Sequence, residues 1–421
     1  MQQKAYAAFL LFAELSNLSR MTFSKRTFLC ITCEFKGSAF LQAIHDLGHR
    51  VYLVTSAKTK EEAWPHHAIT EIFYMPESDG RLWSIDDLIT GTAYLYRHHK
   101  IDRIISLDDY DVSKAALLRE EFRSPGMGQT TARHFFDKLA MRMIAKEAGI
   151  LIPGFTSLYN NDEIHRFFGE SEGPWLVKPR MDAGALGIRK LHSEADFWDW
   201  EREAGDRRHK FLVEEFKPGD ILHVDTLFMN YKLLFHRASE YLNPPFDIAH
   251  GGGIFQSHTL EVNSKDDKEL KKLNQQVLKA FGLKHGASHS EFIRNHKDGK
   301  YYFLETSARV GGAHLADMVE AASGVNLWKE WAKIELALLE DSTYKAPKAE
   351  NGNAGIIVTL SKYEHIDYSQ FQDEEIWWTL PKPYHVGLIL KHEKRERILE
   401  LLNQYAHRIR NEFSTSVPLK E

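Results

Sequence analysis

From residue 27 to about 125, short apolar runs alternate with helix-length stretches in which apolar residues recur every three or four positions. The runs are FLCITC (28–33), RVYLVTS (50–56), ITEIFYM (69–75) and DRIISL (102–107). Strands alternating with amphipathic helices predict a parallel, doubly wound sheet. The turn-rich segment SPGMGQ (124–129) closes this unit. Beyond it, TTARHFFDKLAMRMIAKEAGI (130–150) reads as one amphipathic helix, ended by Gly149 and followed by Pro153.

The pattern then changes. Strands are predicted near 154–158, 175–179 and 210–216, and two long candidates at 221–229 and 231–241 suit an antiparallel pair. SKDDKELKKLNQQVLKAFG (264–282) predicts a helix capped by Ser264. Strands at 286–294 and 300–306 are joined by NHKDGK, whose Asp-Gly marks a hairpin. Helices run to about 340, and the polar stretch KAPKAENGN separates a final unit.

At 421 residues, the chain exceeds one ordinary core and implies two to four packed units. A net charge of −5 gives no electrostatic case for nucleic acid or an anionic membrane. The apolar stretch AYAAFLLFA (5–13) is far shorter than the roughly 20 residues of a membrane span. Glu14 follows it where a signal peptide would need a small-residue cleavage site. Residues 1–20 are therefore expected to be a dispensable extension before Met21, and a cytoplasmic location is the default. Cys30 and Cys33 sit in one apolar run with no second Cys/His pair at ligand spacing, so they read as packed core residues. The first strand is followed by EFKGSAF instead of G-x-G-x-x-G, and no P-loop occurs.

Four separated segments carry candidate chemistry. Lys138 lies in HFFDKLAMR. Lys178 ends the strand WLVKP just before a loop, 181–187, containing Gly184, Ala185 and Gly187. A lysine bordering such a loop can set an ammonium on a phosphate while backbone N–H groups approach closely. KFLVEEFKPG ends a strand in Glu214 and Glu215, then Phe216, Lys217 and a Pro-Gly turn, which suits a hinge. HGASHSEFIR and YFLETSARVGGAH place Glu291 and Glu305 on neighbouring strands. Two carboxylates in apolar strands are costly unless a cation meets them, and Mg²⁺ characteristically takes one or two carboxylates plus phosphates. Arg309 follows where it can neutralise a developing charge, with a Glu–Arg309 ion pair as the structural alternative. His289, two residues before Glu291, shares its strand face. Asp108 and Asp109 end DRIISL at the carboxyl edge of the parallel sheet, where they either touch substrate or cap a helix.

In this order, the four segments resemble the ATP-grasp superfamily over roughly residues 130–340. H-x-E-F with E-x-x-A-R-x-G-G looks most like its carboxylate–amine ligase branch, which includes amino-acid and dipeptide ligases. The resemblance implies an α/β and α+β multidomain chain: an ATP-grasp fold preceded by a doubly wound parallel α/β domain. Its units would be 21–125, a small subdomain at 126–209 with lid 181–187, a large subdomain at 210–345, and a C-terminal α+β unit at 346–421. Carried over residue by residue, Lys138 and Lys178 would hold ATP phosphates, and Gly184, Ala185 and Gly187 would belong to the closing lid. Glu214, with the backbone of residues 215–217, would recognise adenine. Glu291 and Glu305 would ligate Mg²⁺ or Mn²⁺, and Arg309 and His289 would serve the reacting centre. Ser307 stands where the family usually has asparagine, as an optional metal ligand. The ribose-binding carboxylate would fall at Ile221, leaving Asp220 beside it as the candidate. The implied substrates are a small carboxylate and an amine, and a homodimer is the candidate assembly. The alternatives are an ATP-grasp kinase, a biotin-carboxylase-like enzyme, or a non-catalytic nucleotide binder.

Overall fold

The computed structural model describes residues 25–77, 83–182, 184, 187–244, 248 and 253–415. The expected extension 1–20 lies outside them, as do Ala185 and most of 245–252 within the Gly-rich loop.

Strands β1 (Thr27–Thr32), β2 (Arg50–Ser56), β3 (Glu71–Met75) and β4 (Arg103–Ser106) form a parallel sheet in the order β3–β2–β1–β4. Every residue of β1 is buried, as a central parallel strand covered on both faces requires. Alternation sends Phe28 and Cys30 toward Phe40 and Leu41 of helix α1 (Ser38–Asp46). It sends Leu29 and Ile31 toward Leu88 and Leu95 of α2 (Ile85–His98) and Ala115 of α3 (Val112–Glu121). Both cysteines are free and buried on opposite sides of the sheet. Burial pushes both thiols up, so they behave as small core hydrophobes.

The helix predicted over 130–150 is interrupted. A helical turn (Gln129–Ala132) and a 3₁₀ turn (Arg133–Phe135) precede α4 (Lys138–Glu147). The break is made by Asp137, whose buried carboxylate accepts from Leu139 N at 3.1 Å and from Arg180 Nε at 3.0 Å. Apolar spacing runs through the break, so periodicity alone could not show it. Lys138 therefore sits on the first residue of a helix instead of in the middle of one.

Strands β5 (Phe155–Ser157), β6 (Trp175–Pro179), β7 (Arg189–Leu191) and β8 (Phe211–Glu215) make a small antiparallel sheet, ordered β5–β8–β6–β7. Its core joins Trp175 to Phe168 of α5 (Asn161–Glu170) and Phe197 and Trp200 of α6 (Glu194–Ala204).

The third sheet has eight antiparallel strands. They are β9 (Gly219–Met229), β10 (Lys232–Tyr241), β11 (Phe255–Thr259), β12 (His285–Asn295), β13 (Tyr301–Ser307), β14 (Asn353–Leu360), β15 (Ile376–Thr379) and β16 (His385–His392). Their order is β13–β12–β9–β10–β11–β14–β16–β15, so the segment after KAPKAENGN adds its three strands to this same sheet. Helix α7 (Lys265–Phe281) packs Leu270, Val277 and Phe281 on one face, against Leu222, Val224 and Phe292. Ser264 caps it as predicted, accepting from Asp267 N at 3.2 Å. Helix α8 (Leu315–Ser323) covers part of the other face, against Tyr241, Ala354 and Ile356. Helix α9 (Leu327–Leu339) joins this sheet to the parallel unit, with Trp331 packed near Phe40 of α1. Helix α10 (Arg395–Glu412) closes the C-terminal end. Among the described residues, no helix is long and apolar enough to cross a membrane.

Candidate active site

A cavity of about 350 Å³ opens where the small sheet faces β9, β12 and β13. Lys138, Lys178, Gly184, Glu214, Glu215, Phe216 and Lys217 line it on one side, and His289, Glu291, Glu305, Ser307 and Arg309 on the other. Residues from four separated segments thus share one wall-to-wall space.

On the small-sheet side, Lys178 is buried at the end of β6 and pairs with Glu214 on the neighbouring strand β8. Glu214 is 1% exposed and is gripped from behind by Arg142 of α4, through Nε at 3.0 Å and Nη2 at 2.8 Å. The remaining arm of Arg142, Nη1, donates to Leu304 O on β13 at 2.5 Å. Burial alone would raise the Glu214 carboxyl, but Arg142 and Lys178 outweigh it and bring it down to about 2. The Glu214 carboxylate thus pairs with two cations while it lines the cavity. Glu215 accepts from Gly154 N at 3.0 Å and pairs with Lys217 at 2.8 Å. The Phe216 ring lies under Lys190 Nζ at 4.1 Å. In the loop after β6, Gly184 and Gly187 have φ of 74° and 68°, the left-handed conformation that favours glycine. Gly184 lines the cavity and Gly187 does not.

On the large-sheet side, Glu291 of β12 and Glu305 of β13 are directly opposed in register. Neither pairs with Arg309, so the structural alternative fails. Glu305 meets Lys138 Nζ at 3.2 Å, and the same ammonium donates to Asp182 O in the loop after β6 at 2.5 Å. Glu291 accepts from Tyr241 Oη at 2.9 Å and lies 3.6 Å from His289 Nε2. Burial works to raise Glu291, but His289 and Tyr241 hold it below its usual range. His289 would be lowered by burial, yet Asp225 at 2.9 Å lifts it to about 9.

Arg309 turns its guanidinium to Asp109, just past β4 in the parallel unit, with Nε at 2.8 Å. The Ser307 hydroxyl also donates to Asp109, which draws it away from the two glutamates and leaves it a poor candidate ligand. Burial would lower Arg309, but Asp109 raises it, and Arg309 in turn depresses the Asp109 carboxyl. Asp108 takes the capping alternative, accepting from Tyr110 N at 3.2 Å, and also pairs with Lys36.

Asp220 is not in the site. Strand alternation puts Ile221 in the cavity and turns Asp220 to the opposite face, where it pairs with Arg294 at 2.8 Å and His296 at 2.9 Å. Sequence reasoning also missed Arg142, Lys190, His223, Asp225 and Tyr241. Three of these carried a readable signal. Arg142 follows Lys138 by one helical turn, and LHVDTLF places charged residues at alternate strand positions, as HSE does.

The donor set suits a hard divalent cation: two carboxylates in register on adjacent strands, one of them partly exposed, beside two lysines. The group His223, Asp225 and His289 also has donor atoms close enough for an ion, but these atoms already satisfy one another.

No family model matches the chain. It is 28% identical over 243 residues to an L-arginine-specific L-amino acid ligase from Bacillus subtilis, covering 56% of this chain and 58% of that enzyme. The alignment therefore spans little more than half of this relative's length. Among solved structures, an L-amino acid ligase from Bacillus licheniformis superposes with a TM-score of 0.71 and 17% identity, over 93% of this chain and 98% of that one. An N5-carboxyaminoimidazole synthetase from Staphylococcus aureus, complexed with ADP, gives a TM-score of 0.69 and 14% identity over 91% of this chain and 97% of that one.

Proposed function

Because the chain belongs to the ATP-grasp superfamily and is most like its carboxylate–amine ligases, we propose that it joins a small carboxylate to an amine at the expense of ATP. The observation that carries this is the opposed pair Glu291 and Glu305, facing a cavity that Lys138 and Lys178 also enter. The ligase relatives and the ADP bound to a structural neighbour support the same reading.

In the first step, a carboxylate oxygen of the substrate bonds to the γ-phosphorus of ATP, and ADP leaves, giving an acyl phosphate. Phosphoryl transfer is mostly positioning and electrostatics. Lys178, held by Glu214, which Arg142 grips from behind, would set its ammonium on the phosphates, and Lys138 would join it when it is released from Glu305. Glu291 and Glu305 would hold Mg²⁺, which supplies charge neutralisation of the phosphate oxygens when bound. In the second step, the amine nitrogen bonds to the acyl carbon, phosphate departs and the nitrogen loses a proton. His289 and Arg309, which line the cavity, would be the donors to the oxygen on which charge develops, and donors aimed there are the strongest lever a site has.

Purified protein given ATP, Mg²⁺ and a mixture of amino acids tests the proposal. A ligase releases ADP and free phosphate only when both a carboxylate and an amine are present, and mass spectrometry finds a condensed product. A kinase forms ADP with no free phosphate, and a binder turns nothing over; either result would falsify the ligase reading.

A further inference from the structure

Two strands of the large sheet carry a run of buried polar groups, of which the mechanism above uses only the cavity end. On β9, His223 and Asp225 are both fully buried. On β12, His289 pairs in register with Asp225, and Glu291 with His223. Asp225 Oδ1 lies 2.9 Å from His289 Nδ1, and Oδ2 lies 3.2 Å from His223 Nδ1. An ionised carboxylate only accepts, so a buried one is satisfied here when both rings donate Nδ1–H to it. His223 is pinned in turn by Ser257 Oγ, 2.8 Å from its Nε2. At the cavity end of the run, His289 Nε2 lies 3.6 Å from Glu291; both residues line that space and Asp225 does not.

The run stops where the cavity stops. One step further along the same face, β9 carries Leu227 and β12 carries Ala287, both in the apolar core. Burying three ionisable groups is expensive where leucine and alanine serve the packing equally well. The backbone also closes over the pair. A Cβ at Gly311 would come within 2.6 Å of Asp225 Oδ1 and 3.1 Å of His289 Nδ1. Glycine there lets the loop behind Arg309 seat directly on the aspartate and the ring.

We propose that Asp225 is a positioning residue, holding Nδ1–H and the ring plane of His289 so that Nε2–H is presented to the oxygens of the carboxyl group being activated. The chemical half of this statement rests on the ligase reading; the ring's fixation does not. The hydrogen bond made by one ring nitrogen sets where the other points, and losing that partner disables an otherwise intact site.

The test has two arms. Isotope-labelled histidine NMR of the unmodified chain, with His289→Gln to assign the signal, should show a hydrogen-bonded Nδ1–H on His289 that Asp225→Asn abolishes. A His289 ring without a proton on Nδ1 overturns the proposal, whether or not the chain is a ligase and whether or not the variant folds. In the second arm, phosphate release from Mg·ATP with an amino-acid mixture should fall about 10- to 100-fold in Asp225→Asn, the usual loss for removing an orienting partner. Binding of a non-hydrolysable ATP analogue should stay within about twofold, and His289→Gln with Asp225→Asn should be no worse than His289→Gln alone. Losses that multiply in the double variant, or Asp225→Asn turning over at the native rate, overturn it. If the unmodified chain binds the analogue but releases no phosphate with any mixture, the ligase reading fails, and the spectrum alone decides on Asp225.

Discussion

At the residue scale, Glu291 and Glu305 look equivalent in sequence, but their surroundings separate them. Glu305 is partly exposed and touches one ammonium, whereas Glu291 lies in a buried network with Tyr241 and His289. Both Glu305→Gln and Glu291→Gln should cut ATP-dependent phosphate release by about 100-fold or more, since each removes a hard anionic ligand. The ligand-free melting temperature should barely move in Glu305→Gln. It should drop in Glu291→Gln, where a buried charged acceptor is lost at roughly 1–3 kcal/mol. Two bare carboxylates would repel and predict the reverse for both, but the structure supplies a cation to each. Phosphate assays and thermal melts on the same two proteins check this, and full activity in either removes the metal assignment. Lys178→Ala should weaken binding of an ATP analogue by about 1.5–3 kcal/mol, read by calorimetry, as expected for a lost charge-assisted contact. An unchanged affinity would mean that Lys178 serves only to neutralise Glu214.

At the element scale, α4, β6, β8 and β13 meet at one buried carboxylate. Arg142 ties Glu214 to the carbonyl of Leu304, so the small sheet is referenced to the strand that carries Glu305. Glu214→Gln should destabilise the fold by about 3–5 kcal/mol near neutral pH, because two buried cations lose their partner. The sign of the pH dependence follows from the direction of the shift. Glu214 titrates at about 2 when folded and near ~4.3 when unfolded. Its contribution is therefore complete above ~4.3 and is lost as pH falls toward about 2. Denaturant melts at pH 7 and pH 3 should show the gap between native and variant narrowing on acidification. A gap that widens would mean that Glu214 is not held ionised.

At the scale of the whole molecule, the parallel unit reaches the cavity through Asp109, which holds both Arg309 and Ser307. Asp109→Asn should leave analogue binding within about twofold while lowering amino-acid-dependent phosphate release, since breaking a buried charged contact costs about 2–5 kcal/mol. If nucleotide affinity falls as far as turnover, Asp109 supports the fold generally instead of serving the acceptor end of the site.

Local pattern was enough for most elements. Period-2 and period-3.6 spacing located the four parallel strands, the Ser264 cap and the hairpin that sets Glu291 opposite Glu305, because these depend on neighbours in sequence. The cavity's lysines and glutamates were legible for the same reason: a charged residue in an apolar strand is anomalous wherever it occurs. Partners were not legible. That Asp137 breaks a helix to hold Arg180, that Glu214 faces Arg142 across 72 positions, and that Asp109 holds Arg309 from 200 positions away are long-range electrostatic choices. Only packing decides them, because a buried charge takes whichever counter-charge the folded chain brings within reach, and no local spacing encodes that distance.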